Sequence, residues 1–267
     1  MTPTSKTRVS RSLQFLAVLA LFLFLAAPML VIVVFSFDTN RFPTLPWGGF
    51  SLKWHEAMWA DGMVTDAFVN TLWVALGTAV FSTVLGFAAA YLDYRYKFRG
   101  KALFNLLVAV PPAVPATVLG MAMLAFLSKI GFFGTVQAII ACHVAIATSF
   151  ATAVIQLRLN DMGTDLEQAA WNLGASPFTA LVRVVIPFCK SSLIAAFFLS
   201  AAVSFDEFIV AWFVGGVNET LPVRLLNLLQ GQVSPKINAI GTVVLVISVA
   251  LVVLAQRFVG LRAGKRS

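Results

Sequence analysis

The chain has 267 residues, 60% of them hydrophobic and 11% charged, with a mean hydropathy of +0.90. Soluble domains carry about 25% charged residues, so too few polar groups remain here to cover an apolar interior. That excludes a soluble enzyme or binding module, a disordered chain and a nucleic-acid-binding domain, and the net charge of +8 has to be read against a bilayer.

A helix that crosses a bilayer needs about 20 mostly apolar residues. Six segments qualify, and they predict an all-α integral membrane protein. After a polar tail at 1–14, residues 15–37 form the first span. That span exceeds a signal-peptide core and no A-x-A-like site follows it, so it is expected to stay as an anchor. The loop at 38–67 carries Trp47, Trp54 and Trp59. These residues predict an aromatic interfacial belt on a short amphipathic helix near 54–60, or a docking surface for an external partner.

Residues 68–92 form the second span, with Asn70 and Thr71 as candidate polar lining. The third, 102–127, contains Pro111, Pro112 and Pro115. Prolines free backbone carbonyls and kink a helix, and broken helices at membrane depth often line a substrate path; a packing kink is the alternative. The fourth span, 136–157, holds His143, expected to be hydrogen-bonded in the packing rather than a ligand.

The segment 158–190 is polar and long for a bare connection. Thr164 is placed to cap a helix, with Glu167 three residues on. Leu166, Ala169, Ala170 and Leu173 recur at helical spacing, and Gly174 suits a left-handed cap. Ser176-Pro177 starts a second short helix, and Pro187 is expected to interrupt the run before the fifth span. Two short helices on one membrane face make a shape that another protein can grip.

The fifth span, 191–215, contains Asp206 and Glu207. An ionised group at the bilayer centre costs about 2.5–3.5 kcal/mol on insertion scales. Adjacent helical residues point about 100° apart, so the pair cannot share one line of a pore. One or both attract a cationic substrate, or else they serve an intersubunit salt bridge or a helix-break cap. Trp212 follows and is placed to stack on a cation or to pack. Residues 237–258 complete the six spans, and 259–267 form a tail.

With both termini in the cytoplasm, the inside segments 1–14, 93–101, 158–190 and 257–267 hold 14 of the 19 Lys and Arg residues. Outside lie Arg41, Lys53, Lys129, Arg224 and Lys236. This asymmetry predicts the orientation. Cys142 and Cys189 form no C-x-x-C pair, and His55 and His143 are far apart, so no metal site is expected.

Residues Gln168-Ala169-Ala170, Gly174, Val184 and Ile186-Pro187 stand at the spacing E-A-A, three residues, G, nine residues, I, one residue, L-P. This resembles the EAA motif of ABC importer permeases. Gln168 takes the place of the acid, with Glu167 one position earlier. The resemblance implies a type I permease fold, in which this loop is the coupling helix seated in a groove of an ATP-hydrolysing subunit. Glu167, Gln168, Ala169, Ala170, Gly174 and Pro187 would then be the ATPase-coupling residues. The chain itself has no G-x-x-x-x-G-K-[ST] loop for phosphates.

SFDTNRF at 36–42, YRYKFRGK at 94–101, LEQAAWNLGAS at 166–176, SFDEFIVAWFVGG at 204–216 and VSPKINAIGT at 233–242 are similar to the spermidine/putrescine-type subset, most of all to its second, C-type permease subunit. That similarity implies an inner-membrane transport subunit rather than an enzyme. Its partners would be a second permease in a heterodimer, two ATP-binding subunits that hold ATP and Mg, a periplasmic substrate-binding protein and membrane lipid. No cofactor is expected in this chain. An acid of the fifth span, Asp206 or Glu207, would contact the polyamine ammonium. In that subset an acid often follows the proline of the third span; here Ala113 follows Pro112, which leaves another small amine-bearing solute as an alternative. An ion-coupled secondary transporter would need inverted repeats or more spans. A membrane enzyme would need catalytic groups clustered at one face. Neither pattern is evident.

Overall fold

The structure is a computed structural model that describes residues 5–42, 44–163, 165–231 and 235–260. Among the described residues all regular structure is helical, with one isolated antiparallel bridge between Asp38 and Phe50. Five helices are long and apolar enough to cross a membrane: Leu13–Ser36, Gly62–Arg95, Val136–Asn160, Pro177–Asp206 and Lys236–Val259. Ala116–Lys129 is a shorter apolar helix.

The chain divides into two compact units. The first comprises residues 1–61 and 228–245. It holds helix α1 (Ser5–Ser36), helix α2 (Lys53–Trp59) and the start of the last long helix. Asp38 organises the loop between α1 and α2. Its Oδ1 accepts from the backbone N–H of Asn40 and of Gly48, both at 3.0 Å, and the Trp54 indole donates to its carbonyl at 2.9 Å. Phe37 stacks on Phe50 at 5.2 Å and on His55 at 4.8 Å. The short helix is where the apolar pattern puts it. Trp54, however, turns inward to Asp38, while Trp47 and Trp59 remain exposed as a belt requires.

The second unit comprises residues 62–227 and 246–267. In chain order it contains α3 (Gly62–Arg95), α4 (Lys101–Ala109), α5 (Ala116–Lys129), α6 (Val136–Asn160), α7 (Asp165–Asn172), α8 (Pro177–Ala180), α9 (Ile186–Asp206) and α10 (Ile209–Val214). Helix α11 (Leu221–Gly231) begins in it, and α12 (Lys236–Gly260) ends in it. Its centre is the packing of α3, α6 and α9. In lipid, helices associate through close packing rather than the hydrophobic effect, which favours small residues at the seam. The buried faces of these three helices carry small residues: Ala79, Gly86 and Ala90 on α3, Ala147 and Ala151 on α6, and Ala195, Ala196 and Ser200 on α9. A methyl group on Gly86 would stand 2.7 Å from Ala151 Cβ and 2.9 Å from the Thr152 backbone nitrogen, so only glycine allows this approach.

Three local departures follow from backbone chemistry. The third apolar segment is broken rather than kinked: α4 gives way to a 3₁₀ turn at Pro111–Ala113 and extended Val114 and Pro115 before α5. Conversely, Pro187 does not interrupt the helix ahead of it. A π-helical turn at Leu181–Val185 joins α8 to α9, and the widened turn shifts the hydrogen-bond ladder so that the missing proline N–H need not end it. The fifth segment is not one helix either, because Glu207 adopts an extended ψ of 113° between α9 and α10. Asp206 and Glu207 are therefore not successive residues of one helix, and the expected 100° offset between them does not hold.

Candidate functional site

The polar loop builds an exposed platform. Thr164 lies outside the described residues, so its capping role stands without a structural counterpart. Helix α7 ends in a Schellman turn: the Gly174 N–H donates to Trp171 O at 2.8 Å and the Ala175 N–H to Ala170 O at 3.0 Å. Gly174 has φ +85°, the left-handed conformation that its missing side chain permits. Ser176 Oγ then accepts from the Thr179 N–H at 3.2 Å and caps α8.

The apolar stripe of α7 points outward. Leu166, Gln168 and Ala169 are exposed, and Ala170 is half-buried. Leu173 is 89% exposed, and Phe178 of α8 is 74% exposed. The acid faces the other way: Glu167 is 2% exposed. Tyr91 Oη donates to its Oε1 at 2.9 Å, and Arg95 Nε lies 3.6 Å from its Oε2. The Arg95 guanidinium sits 4.4 Å from the Trp171 ring centre. The residues of the predicted coupling set thus divide, with Gln168, Ala169 and Gly174 outward and Glu167 inward. Pro187 is exposed on α9.

Sequence reasoning missed Tyr91, Arg95 and Trp171. Tyr91 and Arg95 lie four apart on α3, a spacing that puts both on one face, and that was the available signal. It also missed Asp93, buried at the end of α3, which pairs with Lys101 Nζ at 3.1 Å and accepts from Asn105 Nδ2 at 2.6 Å and from Gln156 Nε2. This knot ties α3, α4 and α6.

The two broken helices adjoin. Helix α5 packs on α10, where a methyl group on Gly120 would fall 2.6 Å from Phe213 Cδ2. At the first break, Pro112 cannot donate to the Val108 carbonyl four residues back, and Ser149 Oγ of α6 supplies that hydrogen bond instead. At the second, Glu207 Oε1 accepts from the Val210 N–H at 3.0 Å and so caps α10. Asp206, exposed at the end of α9, accepts from Ser248 Oγ. Trp212 is exposed and meets Phe213 edge-on at 5.0 Å. Asp206, Glu207 and Trp212 are thus held by three different partners.

Asn70 and Thr71, expected as polar lining, instead brace the segment ahead of α11. Thr71 Oγ1 accepts from the Leu221 N–H at 2.7 Å, and Asn70 Nδ2 donates to Glu219 O at 3.2 Å. His143 is buried and hydrogen-bonds through Nδ1 to Ser204 Oγ at 2.9 Å, the packing role expected of it.

Residues 82–263 match the family of binding-protein-dependent transport system inner membrane components. Over 234 residues the chain is 32% identical to the spermidine/putrescine transport system permease protein PotC of Haemophilus influenzae, spanning 87% of this chain and 91% of that one. It is 30% identical over 232 residues to the putrescine transport system permease protein PotI of Escherichia coli, covering 84% and 82%. Among solved structures, the fold is similar to that of a bacterial ABC transporter that imports the acidic polysaccharide alginate (TM-score 0.72, 17% identity, 98% of this chain and 99% of that one). It also resembles the MetNI methionine ABC transporter (TM-score 0.63, 17% identity, 77% and 97%).

Proposed function

The chain belongs to the binding-protein-dependent transport system inner membrane component family and is a permease subunit of an ABC importer; on that premise we propose that it carries polyamines such as spermidine and putrescine. The names of the PotC and PotI relatives support that substrate class. In this reading the chain crosses the inner membrane six times, the broken α4–α5 segment counting as the third crossing, with both termini in the cytoplasm. Fourteen of nineteen basic residues then lie on the cytoplasmic side. A second permease subunit, two ATP-binding subunits that hold ATP and Mg, and a periplasmic substrate-binding protein complete the assembly.

Asp206 is the carboxylate best suited to a substrate ammonium, since it is exposed at a helix break, and Trp212 offers an exposed aromatic face on the neighbouring helix. Glu207 is committed to capping α10. The breaks at 111–115 and 207–208 are the points where the spans are least continuous and best able to change shape.

One observation carries the reading: α7 and α8 turn Leu166, Ala169, Leu173 and Phe178 to solvent while burying an acid. An apolar face of that kind on a polar loop marks a protein contact. Seated in an ATP-hydrolysing subunit, it would pass that subunit's closure to the spans as a rigid-body push. Co-purification tests this. The wild-type chain should retain its ATP-binding subunit, and Leu173→Asp with Phe178→Asp should release it while still inserting in the membrane. Retention by the double variant contradicts the docking role.

A further inference from the structure

A push on α7 is useful only if α7 cannot tilt by itself. Two glycines in left-handed conformation flank it, Gly163 at φ +66° and Gly174 at φ +85°, and such turns are natural pivots. Three residues from the last turns of α3 restrain the helix. Tyr91 and Arg95 hold Glu167, Arg95 also covers Trp171, and Tyr94 Oη donates to the Gly163 carbonyl. Positions 91, 94 and 95 share one face of α3. A buried carboxylate is worth keeping only where its partners are fixed, and losing one partner leaves the charge uncompensated.

The geometry points to Glu167 as a positioning residue that locks α7 to the end of α3. Displacement of the loop by a partner is thereby delivered to α3, and through its seam to α6 and α9, instead of being absorbed at Gly163 and Gly174. The outward face of α7 receives the force and Glu167 transmits it. This rests on reading the 158–190 loop as the coupling element.

The test uses the chain assembled with its partner permease and ATP-binding subunits in proteoliposomes, supplied with the substrate-binding protein and ATP. It measures spermidine uptake, ATP hydrolysis and amide hydrogen exchange over residues 165–172. Glu167→Ala should speed that exchange about ten-fold and lower uptake per ATP hydrolysed by about ten-fold, with insertion intact. Tyr91→Phe, which removes a single hydroxyl, should move both readings the same way to a smaller extent and stands alone if Glu167→Ala fails to assemble. Exchanging the pair, Glu167→Arg with Arg95→Glu, should recover part of the coupling. Wild-type exchange and uptake per ATP in both single variants overturn the clamp, as does a loss of uptake with exchange unchanged. A wild-type complex with no ATP-dependent uptake removes the transport reading instead, and amide exchange by itself then decides the clamp.

Discussion

Asp206 and Glu207 are neighbours in sequence with different work. Glu207 holds the first turn of α10, so Glu207→Ala should lower stability by about 1 kcal/mol, as loss of a helix cap does, read as a lower melting temperature of the purified complex. Asp206→Asn keeps a hydrogen-bond acceptor for Ser248 but removes the charge. It should raise the KM for spermidine about ten-fold or more and leave the melting temperature nearly unchanged; an unaltered KM would dissociate Asp206 from substrate recognition. Outside the spans, burial lowers the pKa of His55 beneath its ordinary 6.5, because the ring is stacked on Phe37 and charging it is disfavoured. The folded state therefore binds the proton less readily than the unfolded chain, and the loop is at full strength above the ordinary histidine range. As pH falls through 6.5, the loop around Asp38 should loosen, visible as faster amide exchange at 50–59, and His55→Phe should remove that dependence.

Elements read differently according to whether backbone or side chains decide them. The glycine stop at Gly174, the proline start at Pro177 and the apolar stripe of α7 were legible because local rules govern them. Which way the stripe faces was not legible, since an amphipathic helix is the same pattern whether its apolar side meets its own chain or a partner. Pro187 misled for a related reason: a proline removes one donor, but whether the helix stops or widens depends on the turn before it. The break at Pro111–Pro115 survives because α6 brings Ser149 to the orphaned Val108 carbonyl. Ser149→Ala should cost about 1 kcal/mol, since it leaves a half-buried acceptor without its donor, measured by thermal unfolding in detergent; an unchanged melting temperature would mean that another donor serves that carbonyl.

At the scale of the molecule, the all-helical membrane fold was readable from apolar run length. The packing of α3, α6 and α9 was not, because it depends on which small residues meet. Gly86 marks the tightest of these contacts, and Gly86→Leu should prevent assembly, seen as loss of the chain from the membrane fraction. The candidate site was half legible: the acids stood out against an apolar background, but the break that gives them different partners came from the backbone. In the proposed assembly, ATP-driven closure of a partner reaches the spans through α7 and α8, whose relative placement the left-handed turn at Gly174 sets. The most direct measurement is spermidine accumulation in proteoliposomes holding the full assembly, the binding protein and ATP, with the wild-type chain and with Gly174→Val. The wild type should accumulate spermidine in an ATP-dependent way, and the variant should lose that accumulation while ATP hydrolysis persists. Accumulation without ATP, or undiminished accumulation by Gly174→Val, would contradict that route.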